Sequence, residues 1–220
     1  MAHSKGHDRG DSPAGRRRGP GSARSIGATH NTAAQTATRG RTKNKHPSSW
    51  PAPPSGDPTV TRPTGRKGGD PDGSRTLIDL EQGDEAKRSL DRENSVATHL
   101  AAAGYLIKQN PSKAEVAEAR DNHEDHGAPN SDPDYLLEGR VFDCYSPNPE
   151  TNPRNVWSYV LSKVKREQTQ RVIVDLKDWS GDISAMVQQF ADWPITNLKE
   201  VKFVTPADEI VQVIPYPSID

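Results

Sequence analysis

The chain has 220 residues, of which 31% are hydrophobic and 5% aromatic, with 19 prolines, 17 glycines and one cysteine. Soluble domains average ~45–50% apolar on a slightly wider residue set, so one packed domain over the whole length is excluded. So are a disulfide framework and, with no run of about 18 apolar residues, a membrane-spanning helix. The formal net charge of −1 hides an asymmetry: residues 1–70 carry 13 Lys/Arg against 4 Asp/Glu, and residues 71–220 carry 16 against 26.

Residues 1–75 are rich in Gly, Pro, Ser, Thr, Arg and His and read as a disordered basic tail. The large apolar side chain that stands out there is Trp50, in the Pro-rich "HPSSWPAPPSG", which favours extended backbone. The first 21 residues lack the apolar core of a secretory signal. A cytoplasmic location at synthesis is therefore expected, with export by another route left open. A basic tail on an acidic body suits contact with a polyanion; a solvated tail that keeps the chain in solution is the alternative.

Residues 76–220 read as one α/β (or α+β) domain, a mixed sheet flanked by helices. "DEAKRSLDRENSVATHLAAAG" has helical periodicity, with Leu90, Glu93, Ala97 and Leu100 on one side and Gly104 as the stop. "YLIKQ" follows as a strand, and the polar stretch from Asn110 to Pro133 is expected to be a mobile loop, with a short surface helix in its middle as the alternative. "DYLLE" and "RVFDCYS" make a hairpin across Glu138-Gly139. "RNVWSYVLSKVKREQ" is a helix with Val156, Val160 and Val164 inward, and "RVIVDL" is a central strand. "DWSGDISAMVQQFADWP" is a last helix, before two strands, "LKEVKFVTP" and "EIVQVIP".

Four ionisable groups sit where such groups are costly. Asp143 interrupts an apolar strand, sharing a face with Val141 and Tyr145. Hairpin pairing brings Asp134 close to it, and two carboxylates at that spacing repel unless a cation with a taste for oxygen ligands lies between them. Glu93 and Lys163 lie on helix sides that ought to face the sheet. Three carboxylates can hold a metal that polarises a phosphate and activates water, while a lysine orients that water or offsets the charge of the pentacovalent state. Bland readings stand beside this one: Asp134 after Pro133 as a turn former, Glu93 paired with Arg92 or Lys87, and Lys163 as one of several surface cations. Asp175, the loop Gln168–Gln170, and His123 with His126 are weaker candidates. Cys144 lacks a nearby histidine in sequence, and Trp157, Trp179 and Trp193 read as core.

Three blocks, "RENSVATHLAAAGYLIKQNP", "PDYLLEGRVFDCYSP" and "KVKREQTQRVIVDL", taken in this order, resemble the C-terminal tRNA nuclease domain of contact-dependent growth inhibition toxins (CdiA type). The likeness covers about residues 85–215. It implies a restriction-endonuclease-like PD-(D/E)xK fold whose site joins Glu93 from "REN", Asp134 from "PDY", Asp143 from "VFDCY" and Lys163 from "SKVK". The usual pattern places lysine two residues after the second acid, where this chain has Tyr145; toxin-type domains can take it from the next helix, which selects Lys163 and then Lys165. The implied activity is endoribonuclease cleavage that depends on a divalent cation (Mg²⁺ or Mn²⁺), with Asp134, Asp143 and Glu93 as metal ligands. The implied partners are tRNA or other RNA and an immunity protein. The acidic body argues for a local cationic patch of Lys163, Lys165, Arg166 and Arg171. The rival is an inactive nucleic-acid- or protein-binding module that keeps the nuclease fold.

Overall fold

A computed structural model describes residues 59–78, 81 and 83–215. The expectation of a disordered tail, and Trp50 with it, falls largely on residues 1–58, outside the described residues. The elements run in the order β1 (Asp72–Gly73), α1 (Asp84–Ala102), β2 (Ile107–Gln109), α2 (Lys113–His123), β3 (Tyr135–Leu137), β4 (Arg140–Tyr145), α3 (Pro153–Lys165), β5 (Arg171–Asp175), α4 (Ile183–Asp192), β6 (Glu200–Val204) and β7 (Ile210–Ile214). The mixed α/β architecture agrees with the sequence reading, with β1 and α2 added. Among the described residues no helix is long and apolar enough to cross a membrane.

The seven strands lie side by side in chain order. β2, β3 and β4 form an antiparallel meander, β4, β5 and β6 run parallel, and β7 returns antiparallel to β6. Parallel neighbours need crossovers, and α3 and α4 supply them. Val156, Trp157, Val160 and Val164 of α3 and Met186, Val187 and Phe190 of α4 pack on Val172, Val174, Val201 and Phe203. α1 covers the opposite face, where Val96, Ala97, Leu100 and Ala101 meet Tyr135, Leu137, Phe142, Ile173 and Val204. β5 is buried along its whole length, as its unbroken apolar run requires.

Local chemistry sets the helix ends. Asn152 accepts from Asn155 N at 2.9 Å ahead of Pro153, and Asp182 accepts from Ser184 N at 2.9 Å. Gly104, at φ +97, ends α1 in a backbone conformation that glycine adopts without strain. α2 is a helix where a mobile loop was expected. Its composition is polar, but Ser112 and Glu115 form a reciprocal capping box, and Val116 and Ala119 bury against Val141. Two apolar residues are too few to show as a periodic stripe.

Described residues on the N-terminal side of the expected boundary at 75/76, and Thr76 just after it, also contact the domain. Residues 59–75 form a strap fastened to the domain. Thr61 donates its N–H (2.9 Å) and its hydroxyl (2.6 Å) to the two oxygens of Glu200, and Thr64 does the same to Glu138 at 3.0 and 2.5 Å. Glu200 is fully buried beside Lys202 (3.0 Å) and Arg171 (3.7 Å). The strap thus supplies donors to a charge on β6 that lies beyond the cover of α1. Composition signals tail here because threonine and arginine carry the contact.

Thr61→Val keeps the N–H but removes one hydrogen bond to a buried carboxylate. Such bonds contribute about 1.5–3 kcal/mol, so the unfolding free energy of the full chain should fall by that amount, read as a lower midpoint at unchanged slope in urea melts. An unchanged midpoint would show that the strap is not part of the cooperative fold.

Candidate active site

The hairpin places the two aspartates. Glu138 and Gly139 both have positive φ (51 and 73), the requirement of a two-residue turn that matches strand twist. The resulting register pairs Tyr135 with Phe142, and one step further sets Asp134 opposite Asp143. β3 ends at Tyr135. The Cys144 N–H donates instead to Asp134 Oδ2 at 2.7 Å. Phe142 and Cys144 face α1, whereas Val141 faces α2 and Tyr145 faces α3. Asp143 lies between the last two and is fully buried.

Lys163 comes to Asp143 from α3, with Nζ 3.4 Å from Oδ2. Gln168 Nε2 donates to Oδ1 at 3.4 Å, and Oδ2 itself accepts no hydrogen bond. Tyr145 stacks on Tyr159, ring centres 3.7 Å apart, and Lys163, one turn after Tyr159, lies 5.5 Å from that ring. Glu93 arrives from α1. Its peptide carbonyl accepts from Tyr135 Oη at 2.5 Å, and its Oε1 accepts from the Thr76 hydroxyl.

The charges of these groups act on one another. Burial pushes Asp143 up to about 6, the Glu93 charge adds to this, and Lys163 opposes it. Asp134 stands well above the usual range, through burial and then the charges of Asp143 and Glu93. Glu93 is raised by burial against the Thr76 hydrogen bond and Lys163. Burial works against the Lys163 ammonium, but Asp143, Tyr159 and Asp134 together hold it above the ordinary lysine value. One lysine does not neutralise three carboxylates.

Among the described residues no group of three or more His, Cys, Asp or Glu stands ready to hold a metal ion. Carboxylate oxygens are the donors a hard divalent cation takes, and the buried Asp143 Oδ2 faces the Lys163 ammonium at 3.4 Å without a well-aligned hydrogen bond.

Other sequence candidates resolve differently. Lys165 is exposed and lines a cleft with Trp157 and Trp193. Asp175 is held by Arg92 through two 2.7 Å bonds and by Ser146 at 3.1 Å, which anchors α1 to β5. Arg92 is thus engaged away from Glu93, and Lys87 pairs with Asp84. Thr169 bonds Val141 O and Arg171 O, and Gln170 bonds His126 N and Asn197 O; of that loop's three side chains, Gln168 touches Asp143. The cationic patch does not form as expected, because Arg171 is buried against Asp125 and Lys163 is committed to Asp143. His123 lines a surface pocket with Arg140, Arg171 and Lys199. Desolvation pushes the Cys144 thiol well above its usual value, as do the Asp134 and Asp175 charges. Trp157 and Trp179 are core, but Trp193 is 56% exposed. Its ring lies 5.1 Å from the Arg154 guanidinium, which also covers Trp157 at 4.2 Å. Sequence reasoning singled out neither Thr76 nor Asn110, which contact Glu93 Oε1 and Asp134 O, since neither is charged or part of an apolar stripe.

Residues 131–210 match the family described as the contact-dependent growth inhibition CdiA C-terminal domain. A protein of Burkholderia pseudomallei (strain 1026b) named tRNA nuclease CdiA-2 is 32% identical over 158 residues, which are 71% of this chain. The chain spans 5% of that protein's length. A chain in the solved CdiA-CT/CdiI toxin and immunity complex from Burkholderia pseudomallei is 30% identical, with a TM-score of 0.55. That likeness covers 66% of this chain and 98% of the other.

A carboxyl whose folded pKa lies above its unfolded value of 3.8 stabilises fully below that value and loses the contribution as pH rises through the folded pKa. For Asp143 the rise to about 6 corresponds to a cost of about 3 kcal/mol at neutral pH. Asp134→Asn removes the neighbouring charge, keeps an acceptor for Cys144 N and leaves Lys163 its partner. Its melting temperature should exceed that of the wild type at pH 7.5 and match it at pH 3.5, as read by scanning fluorimetry. A gain of equal size at both pH values would refute the charge cluster.

Proposed function

We propose an activity for a chain that belongs to the family of contact-dependent growth inhibition CdiA C-terminal toxin domains: endonucleolytic cleavage of RNA phosphodiester bonds, with tRNA as the substrate. The observation that carries this reading is Asp143, a buried carboxylate opposite Asp134 with Lys163 Nζ at 3.4 Å. The relative named tRNA nuclease CdiA-2 supports the substrate class.

In this reading the site is of the PD-(D/E)xK type, with its lysine taken from α3 instead of the position filled by Tyr145. Asp134, Asp143 and Glu93 would hold Mg²⁺ or Mn²⁺, which supplies Lewis acidity toward the phosphate and a more acidic water. Lys163 stays protonated beside the carboxylates. It directs an N–H at the attacking water or at the charge that builds on the phosphoryl oxygens. Gln168 fixes the Asp143 carboxylate through its amide, and the Tyr145–Tyr159 stack holds the side of α3 that presents Lys163. The inactive-module alternative draws on Tyr145, on the acidic body and on the lack of a secretory signal; Lys163 beside Asp143 supports the nuclease reading against the first of these.

Exposed cations such as Lys165 and Arg166 and the basic residues of 1–70 would supply phosphate contacts whose affinity falls steeply with salt. A cognate immunity protein is the expected protein partner, because the matched solved structure is a toxin and immunity complex.

Full-length chain incubated with tRNA and Mg²⁺ or Mn²⁺ should cut it, and EDTA should stop the reaction. Lys163→Ala should lower kcat by about 10²–10³-fold, the range for losing one donor aimed at transition-state charge, and Asp143→Ala at least as much. Cleavage that persists in Asp143→Ala, with a melting curve showing a folded protein, would overturn the assignment.

A further inference from the structure

The geometry points to Thr76 as a positioning residue for Glu93, which makes the end of the N-terminal strap a part of the site. This rests on the reading proposed above, in which Glu93 is a metal ligand.

Glu93 has a long side chain, and fixing it in one rotamer costs conformational entropy. Its Oε1 accepts from the Thr76 hydroxyl; among the described residues its Oε2 accepts no hydrogen bond. The direction of the Thr76 proton follows from its neighbours. Asn110 Nδ2 lies 2.8 Å from Ser74 O and 2.9 Å from Thr76 Oγ1. A carbonyl only accepts, so the Asn110 amide nitrogen faces both atoms and donates to both. Thr76 Oγ1 is therefore an acceptor toward Asn110, and its own proton is committed to Glu93.

Thr76 is itself held in place. Its N–H donates to Asn94 Oδ1 and its carbonyl accepts from Asn94 Nδ2, both at 2.9 Å. These two bonds fix the Asn94 amide without ambiguity. Asn94 is buried and takes a third bond from buried Gln109 at 3.0 Å. Asn110, in turn, donates its backbone N–H to Asp134 O at 3.0 Å. One connected set of hydrogen bonds thus runs from the Glu93 carboxylate through Thr76 and Asn110 to the backbone of Asp134. Its effect is to hold an oxygen from α1 in register with the hairpin, although the two belong to different elements.

Thr76→Val deletes the hydroxyl and keeps both backbone bonds to Asn94; Thr76→Ser restores the donor. The test is a Mn²⁺ titration of the full chain, reading free Mn²⁺ by electron paramagnetic resonance, with kcat and KM for tRNA measured in parallel. Losing a residue that orients a metal ligand weakens binding about 10–100-fold. Thr76→Val should show that loss, with a lower kcat, an unchanged KM and a melting temperature close to that of the wild type. Thr76→Ser should return to the wild-type affinity. If the wild type binds Mn²⁺ and Thr76→Val binds it equally well, the inference fails and the nuclease reading stands. If the wild type neither binds Mn²⁺ nor cuts tRNA, the nuclease reading fails and takes this inference with it.

Discussion

A fully buried carboxylate on a central strand is the constraint around which this domain is arranged. Asp143 has no water to solvate it, so the fold must bring charge and donors to it. Lys163 and Gln168 come from α3 and the loop after it, and the turn of the hairpin sets Asp134 opposite it. The arrangement is under-compensated, because two further carboxylates meet one ammonium. A protein selected only for stability would remove it, since apolar residues of similar volume cost less than unbalanced buried charge. Raised carboxyl pKa values are the physical response to that imbalance, and the cation proposed above would relieve it in another way.

The two faces of the sheet play different parts in this. Lys163 belongs to the face covered by α2, α3 and α4, and Glu93 belongs to the helix on the other face. They meet where β3 ends and leaves Cys144 N without a ladder partner, so Asp134 accepts it. A sheet that stops short therefore opens a place for side chains from both layers. The Arg92–Asp175 pair fixes α1 at the opposite side of that opening, and it accounts for an acid that the sequence alone presents as a site candidate.

The strap links the compositionally simple N-terminal region to the domain. The N–H groups of Gly65 and Gly68 and the pairing of β1 with β2 fasten it, and so do three threonines that each use both N–H and hydroxyl. Thr61 and Thr64 close on glutamates, and Thr76 closes on Asn94 and Glu93. A segment that looks like linker thereby completes a buried charge site and touches the proposed catalytic centre. Family membership and the active-site arrangement support each other, since the three blocks that carry the likeness are the blocks that contribute Glu93, Asp134, Asp143 and Lys163.

The sequence by itself determined the order of most elements, the hairpin and its register, and the oddity of the four ionisable residues. Those properties are local: turn chemistry at Glu138-Gly139, side-chain alternation along β4 and helical periodicity in α1 and α3 are each written within about a dozen residues. Tertiary structure decided what local pattern does not hold. Lys163 and Lys165 are two positions apart on one helix and are equal in composition, and only the docking of α3 turns the first toward Asp143. α2 is stabilised by a capping box and two buried side chains, too little to register as periodicity. Thr61 reaches Glu200 across 139 positions. Bonds of that span depend on where the whole chain has folded, because a threonine beside prolines and glycines carries no local sign that a buried carboxylate will need its hydroxyl.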